Sequence, residues 1–174
     1  MPERMVLYMP QEDRLLDTML KLPRWEQLPD FGLYMDQVIV LIERTFDGML
    51  PEGEITKSMV NNYVKVQLIP RPVGKKYERE HLTMLLMICI LKQSLTMEEI
   101  ASILTMLCKD GIQAGYAQFI RETEALCEAA SSGRIALGQE TDDPARLALR
   151  AGMTAAICTI YARAIIAHVK NEKK

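Results

Sequence analysis

The sequence predicts an all-α fold, and three observations carry this prediction. Apolar residues recur at helical spacing through most of the 174-residue chain. Proline, glycine and capping residues punctuate the apolar stretches at distances that suit helices rather than strands. Only residues 71–77 suggest β-structure, as a short turn or a very small β-ribbon. A chain of this length can bury roughly two-thirds of its unfolded surface, so its folding requires neither a metal nor disulfides.

Residues 1–32 are predicted to be an N-terminal extension that contains a short amphipathic helix over residues 11–21. The loop PRWEQLPDFG follows, and its prolines and glycine exclude a helix. We expect the two aromatic residues of this loop, Trp25 and Phe31, to anchor it on the core.

Two helices are predicted next. Residues 33–47 have a helical apolar stripe at Tyr34, Val38, Leu41, Ile42 and Phe46. The second helix opens at Thr56, and the Ile69-Pro70 pair closes the segment, so we place this helix over residues 56–68. The following residues, RPVGKKY, are too rich in proline, glycine and lysine to continue it.

The rest of the chain is predicted to form four more helices. The helix over 78–93 is apolar on nearly all sides, which predicts a central, buried position. Thr96 and Glu99 form a capping-box signature for the next helix, which Gly111 ends. The last two helices cover residues 112–131 and 144–169, and a linker separates them. We therefore divide the chain into the extension 1–32, a domain at 33–108 and a helical region at 111–174.

Charge is unevenly distributed along the chain. Residues 1–55 carry five Lys or Arg against eleven Asp or Glu, a net charge of −6. Residues 56–81 carry six cations against two anions, a net charge of +4. A basic segment in an otherwise acidic or neutral chain is the pattern expected of a contact with a phosphate backbone.

The helix within this basic segment divides into two faces. Met59, Val60, Tyr63 and Val64 fall on or near one face, which would pack on the core. The opposite face collects short polar and cationic side chains, namely Lys57, Ser58, Asn61, Asn62 and Lys65. A helix that reads DNA needs this division, because asparagine and lysine can contact base edges and phosphates.

Four phrases in this part of the chain occur in the order found in MerR-type regulators. They are TKSMVNNYVKVQLIP, RPVGKKY, EREHLTMLLMICILKQS and LTMEEIASIL. The run from Ile55 to Leu104 therefore resembles the winged helix-turn-helix of that family. The whole chain, including the upstream phrase WEQLPDFGLYMDQVI, is also similar to an uncharacterised bacterial family with the same core.

The MerR resemblance implies an all-α, winged helix-turn-helix core packed with a C-terminal helical bundle, and a transcription regulator that binds double-stranded DNA. The groove-facing residues would be Lys57, Ser58, Asn61, Asn62 and Lys65. Arg71, Lys75 and Lys76 would form a wing on phosphate, with Gly74 allowing its turn, and Tyr77 and Arg79 would flank the DNA backbone. The C-terminal helices would join two copies of the chain in a homodimer, and any small-molecule effector is undefined.

The sequence gives no indication of an enzyme, a metal site or a cofactor. His81, next to Glu80, is explained as a solvated or capping histidine at a helix start, and His168 lies near a helix end where a cation is favourable. The four cysteines lie apart from one another within apolar stretches, as small buried residues do. Reduced thiols and the absence of a signal peptide favour the cytoplasm, and neither of the two most apolar stretches suits a membrane-spanning helix.

Two alternatives to a DNA-binding regulator stay open. The chain could be a protein-interaction module that keeps the winged scaffold without reading DNA, in which case its acidic first third would bind a basic partner or mask the basic segment. It could also bind a ligand in the C-terminal bundle, which would require a large cavity there.

Overall fold

The computed structural model describes residues 20–46, 55–131 and 143–171. Within these ranges the chain is helical, and its β-pairing is confined to two isolated bridges, which confirms the predicted all-α class. Residues 11–19 of the first predicted helix and the linker before residue 143 lie outside the described ranges. The elements are a 3-10 turn at Trp25–Gln27 and the helices α1 (Met35–Thr45), α2 (Lys57–Lys65), α3 (Arg79–Leu91), α4 (Met97–Leu107), α5 (Ile112–Ser131) and α6 (Pro144–Asn171).

Helix α3 lies at the centre of the described protein. Every residue from His81 to Leu91 is buried. The helix contacts α1, α5 and α6, so apolar side chains on all of its faces find partners. The central position predicted from its all-round apolar character is confirmed.

Side chains cap the helices at the positions that the sequence indicates. The Oγ1 atom of Thr56 accepts a hydrogen bond from the backbone N–H of Met59 at 3.2 Å, which starts α2. At the start of α4 the capping box is formed, since Thr96 N–H donates to Glu99 Oε2 at 2.8 Å and Glu99 N–H donates to Thr96 Oγ1 at 3.4 Å. The backbone N–H of Thr96, and also its hydroxyl at 2.9 Å, donate to Glu99 Oε2; these two hydrogen bonds favour the ionised carboxylate and lower the pKa of Glu99.

Helix α2 is shorter than predicted. It ends at Lys65, whereas the sequence placed its end at residue 68. Gln67 adopts a left-handed conformation, with φ of +59°. The N–H of Leu68 then donates to the carbonyl of Tyr63 at 2.8 Å, and the N–H of Gln67 donates to the carbonyl of Val64 at 3.1 Å. This is a Schellman ending, and the two residues that usually make its apolar contact, Leu68 and Tyr63, are both buried.

Helices α4, α5 and α6 pack on one another and on the rest of the core. Contacts join α5 to α6, and α4 to both of them. One cluster of buried side chains extends from Leu20 to Ile160. The predicted division of the chain between residues 108 and 111 therefore falls between two helices that contact each other within this core.

A buried carboxylate joins α5 to α6. Glu122 is 4% exposed, and it accepts a hydrogen bond from Arg146 Nε at 2.9 Å. Its other oxygen lies 3.9 Å from Nε of Arg150, a residue that is 9% exposed. The sequence analysis did not identify this group of charges, because Glu122 lies 24 or more residues before the two arginines in the chain.

The loop before α1 is fixed by hydrogen bonds to α3 and α5. Arg79 Nη2 donates to the carbonyl of Leu28 at 2.8 Å, and the hydroxyl of Tyr116 donates to the carbonyl of Pro23 at 2.8 Å. Trp25 is half-buried against the core, as predicted. The prediction for Phe31 was wrong, because its side chain is 65% exposed and the buried Leu28 and Leu33 occupy the core on either side of it.

Candidate nucleic-acid interface

A tight two-residue turn forms where the sequence predicted a turn or ribbon. Val73 and Lys76 are paired, and the N–H of Lys76 donates to the carbonyl of Val73 at 3.0 Å. The two central residues, Gly74 and Lys75, have φ values of +57° and +62°. Two consecutive left-handed residues are typical of a type I′ hairpin turn, whose twist suits paired strands. We refer to Val73–Tyr77 as the hairpin.

The hairpin is attached to the segment just before α1. The N–H of Leu33 donates to the carbonyl of Tyr77 at 2.9 Å, and the N–H of Tyr77 donates to the carbonyl of Leu33 at 2.8 Å. Beside this pair, a Cβ atom on Gly32 would lie 2.8 Å from Cβ of Lys76. A side chain at residue 32 would therefore push the hairpin away.

Helix α2 presents its polar residues to solvent, as its amphipathic pattern predicts. Val60 and Tyr63 are buried on the inner side, and burial raises the pKa of the Tyr63 hydroxyl. The outer side chains are all exposed; they are Lys57, Ser58, Asn61, Asn62 and Lys65. In the hairpin and just before it, Arg71, Lys75 and Lys76 are exposed as well. We call these eight residues the basic face.

Two contacts bring α2 and the hairpin to the same end of α1. Lys57 forms an ion pair with Asp36 in the first turn of α1. The Nζ atom of Lys76 lies 5.6 Å from the ring centroid of Tyr34, within the range of a cation–π contact. Tyr34 and Asp36 are two residues apart, so the start of α2 and the hairpin both lie close to the start of α1.

Two predicted site residues do not belong to the basic face. Tyr77 is 4% exposed, and its ring lies edge-on to His81 with the centroids 5.6 Å apart. Its pairing with Leu33 directs the ring into the core, and burial raises the pKa of its hydroxyl. Arg79 is half-buried, and its guanidinium carbon lies 5.7 Å from the ring centroid of Trp25 while it donates to the loop carbonyls. Both residues hold the scaffold together.

His81 acts as a cap, one of the two roles predicted for it, and it is not solvated. Its Nδ1 accepts a hydrogen bond from the N–H of Glu78 at 2.9 Å, which satisfies a backbone donor at the start of α3. The residue is 6% exposed, and its Nε2 has no hydrogen-bond partner. A buried histidine is therefore part of the scaffold beneath the hairpin.

The histidine, cysteine and acidic side chains of the described ranges do not gather into a metal site. No three His, Cys, Asp or Glu side chains there lie close enough together to hold a metal ion. Cys89 and Cys127 are buried, and Cys108 and Cys158 are half-buried. Burial raises the pKa of the Cys108 thiol, which favours its protonated form. None of the described helices combines the length and the apolar character that crossing a membrane requires.

The described protein is thus an all-helical domain that carries an exposed polar helix and a basic hairpin. A family model described as a domain of unknown function, DUF1836, matches residues 23–120. This match covers more than half of the chain, so the chain belongs to that family, and the matched region includes the whole basic face. No curated protein and no solved structure shows significant similarity to the chain.

Proposed function

We propose that this protein is a transcription regulator that binds double-stranded DNA through the basic face. In this proposal α2 enters the major groove and the hairpin contacts phosphate, as in a MerR-like winged helix-turn-helix. The observation that carries the proposal is the division of α2, whose five polar outer residues are exposed while Val60 and Tyr63 fix it on the core. Asn61 and Asn62 are the candidates for base contacts.

The charges of the basic face support a contact with phosphate. Within the described residues, Lys65, Arg71, Lys75 and Lys76 form no ion pair with an acidic side chain, whereas Lys57 is paired with Asp36. Four available cations correspond to a slope of about −3.6 in log K against log salt concentration. Affinity should then fall about 150-fold between 50 and 200 mM salt.

A homodimer formed through the C-terminal helices is part of the proposal. Leu147 and Ile166 on α6 are 41% and 53% exposed, so this helix offers apolar side chains to a second copy. A dimer would present two basic faces to two half-sites on DNA. Sedimentation of the purified protein tests this part separately from DNA binding.

A second candidate function is that of a protein-interaction module. An open groove runs along α1, and it is lined by apolar residues that include Leu33, Val40 and Leu41. Val40 is 44% exposed, and Asp36 and Arg44 provide charges of both signs along the groove. An apolar groove with a charged rim is the kind of surface that receives an amphipathic helix of a partner.

Fluorescence anisotropy distinguishes the two functions. The titration uses labelled duplex from upstream of the protein's own gene and a scrambled duplex of the same composition, each at 50 and 200 mM salt. We expect salt-sensitive binding that prefers the upstream duplex. The double variant Lys75→Glu/Lys76→Glu should weaken binding. It should also reduce the slope of log K against log salt concentration to about half or less, because two phosphate contacts are lost.

The matched control is Lys21→Glu/Lys109→Glu, which makes the same change in net charge at exposed positions outside the basic face. We expect it to keep nearly all of the affinity. Equal losses in the two double variants would mean that net charge alone attracts DNA. No binding at 50 mM salt by the folded protein would refute the DNA-binding proposal and favour the interaction module.

A further inference from the structure

Three large apolar side chains project into solvent beside the basic face. Phe31, Tyr34 and Val73 are 65%, 55% and 75% exposed. Tyr34 and Phe31 both lie in the segment that leads into α1, and Val73 belongs to the hairpin. Leaving aromatic rings in water is unfavourable, so exposed rings beside a binding surface indicate a partner that covers them.

Lys76 of the hairpin connects the basic face to the segment that carries the two aromatic residues. Lys76 lies over the Tyr34 ring, and the stem of Lys76 packs against Gly32, the residue directly after Phe31. Lys75 and Arg71 are exposed on the same hairpin and just before it. The hairpin therefore places positive charge next to the Tyr34 ring and next to the backbone that directly follows Phe31.

We propose that Phe31 and Tyr34 form a stacking platform for unpaired bases of the DNA that the basic face binds. This inference rests on the proposed function and adds the form of DNA that is preferred, namely a duplex interrupted by unpaired nucleotides. Aromatic faces stack on any base, and neighbouring cations neutralise the phosphates of the same strand. In a continuous duplex the bases are stacked on one another and offer no free face to these rings.

The positive charge of the surface favours a nucleic acid over a protein partner for the two rings. The hairpin and the two residues before it contribute three exposed cations, Arg71, Lys75 and Lys76. These outnumber the exposed acidic residues that directly adjoin Phe31 and the hairpin, Asp30 and Glu78, while Asp36 of α1 is paired with Lys57. A nucleic acid strand offers bases that stack on aromatic rings and phosphates that attract cations, so it matches both features of this surface.

The test compares two labelled DNAs, a continuous duplex and the same duplex with a bulge of three unpaired thymidines. Anisotropy titrations measure the affinity for both at 50, 100 and 200 mM salt. We expect the wild-type protein to bind the bulged duplex about tenfold or more tightly than the continuous one, since one stacked base is worth roughly this factor. The slope with salt should be similar for both DNAs, because stacking adds no phosphate contact.

Two matched double variants separate stacking from simple burial of apolar surface. Phe31→Leu/Tyr34→Leu keeps apolar side chains but removes the aromatic faces, and it should lose the preference for the bulge. Phe31→Tyr/Tyr34→Phe keeps both rings and should retain it. Because both positions are exposed, thermal unfolding of the variants should match that of the wild type and show that they are folded.

The possible failures are distinguishable. Equal affinity of the wild type for the two DNAs, or an undiminished bulge preference in the leucine variant, would overturn the stacking platform and leave the proposed DNA binding intact. Absence of binding to either DNA at 50 mM salt would overturn the proposed function together with this inference.

Discussion

Removing the carboxylate of Glu122 should destabilise the protein severely. The side chain is 4% exposed and lies between Arg146 and Arg150. Glu122→Ala leaves Arg150, which is 9% exposed, as a buried charge without its counter-ion. Breaking a buried ion pair from one side costs about 3–5 kcal/mol. For a chain of this size each kcal/mol lowers Tm by about 2–4 °C, so a fall of about 6–20 °C is expected.

The measurement is urea and thermal unfolding of the wild type and three variants, followed by circular dichroism. Arg146→Ala is the comparison variant, because it removes the 2.9 Å hydrogen bond to Glu122 but leaves no buried cation behind, the Arg146 side chain being 46% exposed; it should cost about 1.5–3 kcal/mol, less than Glu122→Ala. Glu122→Leu/Arg150→Met removes both buried charges and should restore most of the stability. A loss below about 1 kcal/mol in Glu122→Ala would show that solvent reaches Arg150, and the reasoning would be refuted.

Two further predictions concern backbone geometry. Gln67→Gly should stabilise the protein by about 0.5–1 kcal/mol, because glycine adopts the left-handed conformation without strain, and an unchanged or lower urea midpoint would contradict this. Gly115→Ala should destabilise by about 1–2 kcal/mol, because the new Cβ would lie 2.8 Å from a backbone carbonyl oxygen of α4. The control is Gly152→Ala, whose Cβ would meet only the ends of flexible side chains, so equal effects of the two alanine substitutions would argue against the close helix contact.

The sequence predicts the helices well because their signals are local. Caps such as Thr56 and Thr96 hydrogen-bond to residues three positions away, so the residues that determine each helix start are adjacent in the sequence. The burial of α3 follows from its all-round apolar composition. The exposed outer residues of α2 follow equally from a helical period that places Val60 and Tyr63 on the opposite side.

The features that sequence reasoning missed depend on distant partners. Tyr77 points inward because its backbone pairs with Leu33, which lies more than forty residues earlier in the chain. Arg79 turns away from the basic face because carbonyls of the loop before α1 offer it hydrogen bonds. Local sequence patterns do not reveal these contacts of Tyr77 and Arg79, because the partners lie far away in the chain.

Tyr34 was missed for a local reason. The helical stripe assigned it to the core, but it is 55% exposed because it precedes the first turn of α1.

The early end of α2 has a different cause. The backbone turns at Gln67, which adopts a left-handed conformation, and this turn brings Leu68 to the core. The residue type of Gln67 gives little indication of such a conformation. A glycine at this position would have signalled the ending in the sequence. The reversal at Gln67 accompanies the burial of Leu68, which is 8% exposed.

The central position of α3 determines how the protein opens. Its eleven consecutive buried residues are covered by α1, α5 and α6, so none of these helices can leave without exposing part of α3 to water. The backbone amides of α3 should therefore exchange with solvent only when the whole protein unfolds, at the free energy of global unfolding. A fragment that ends at residue 108 would lack α5 and α6 and leave one side of α3 uncovered, and we expect it to form a loose, aggregation-prone state rather than an independent domain.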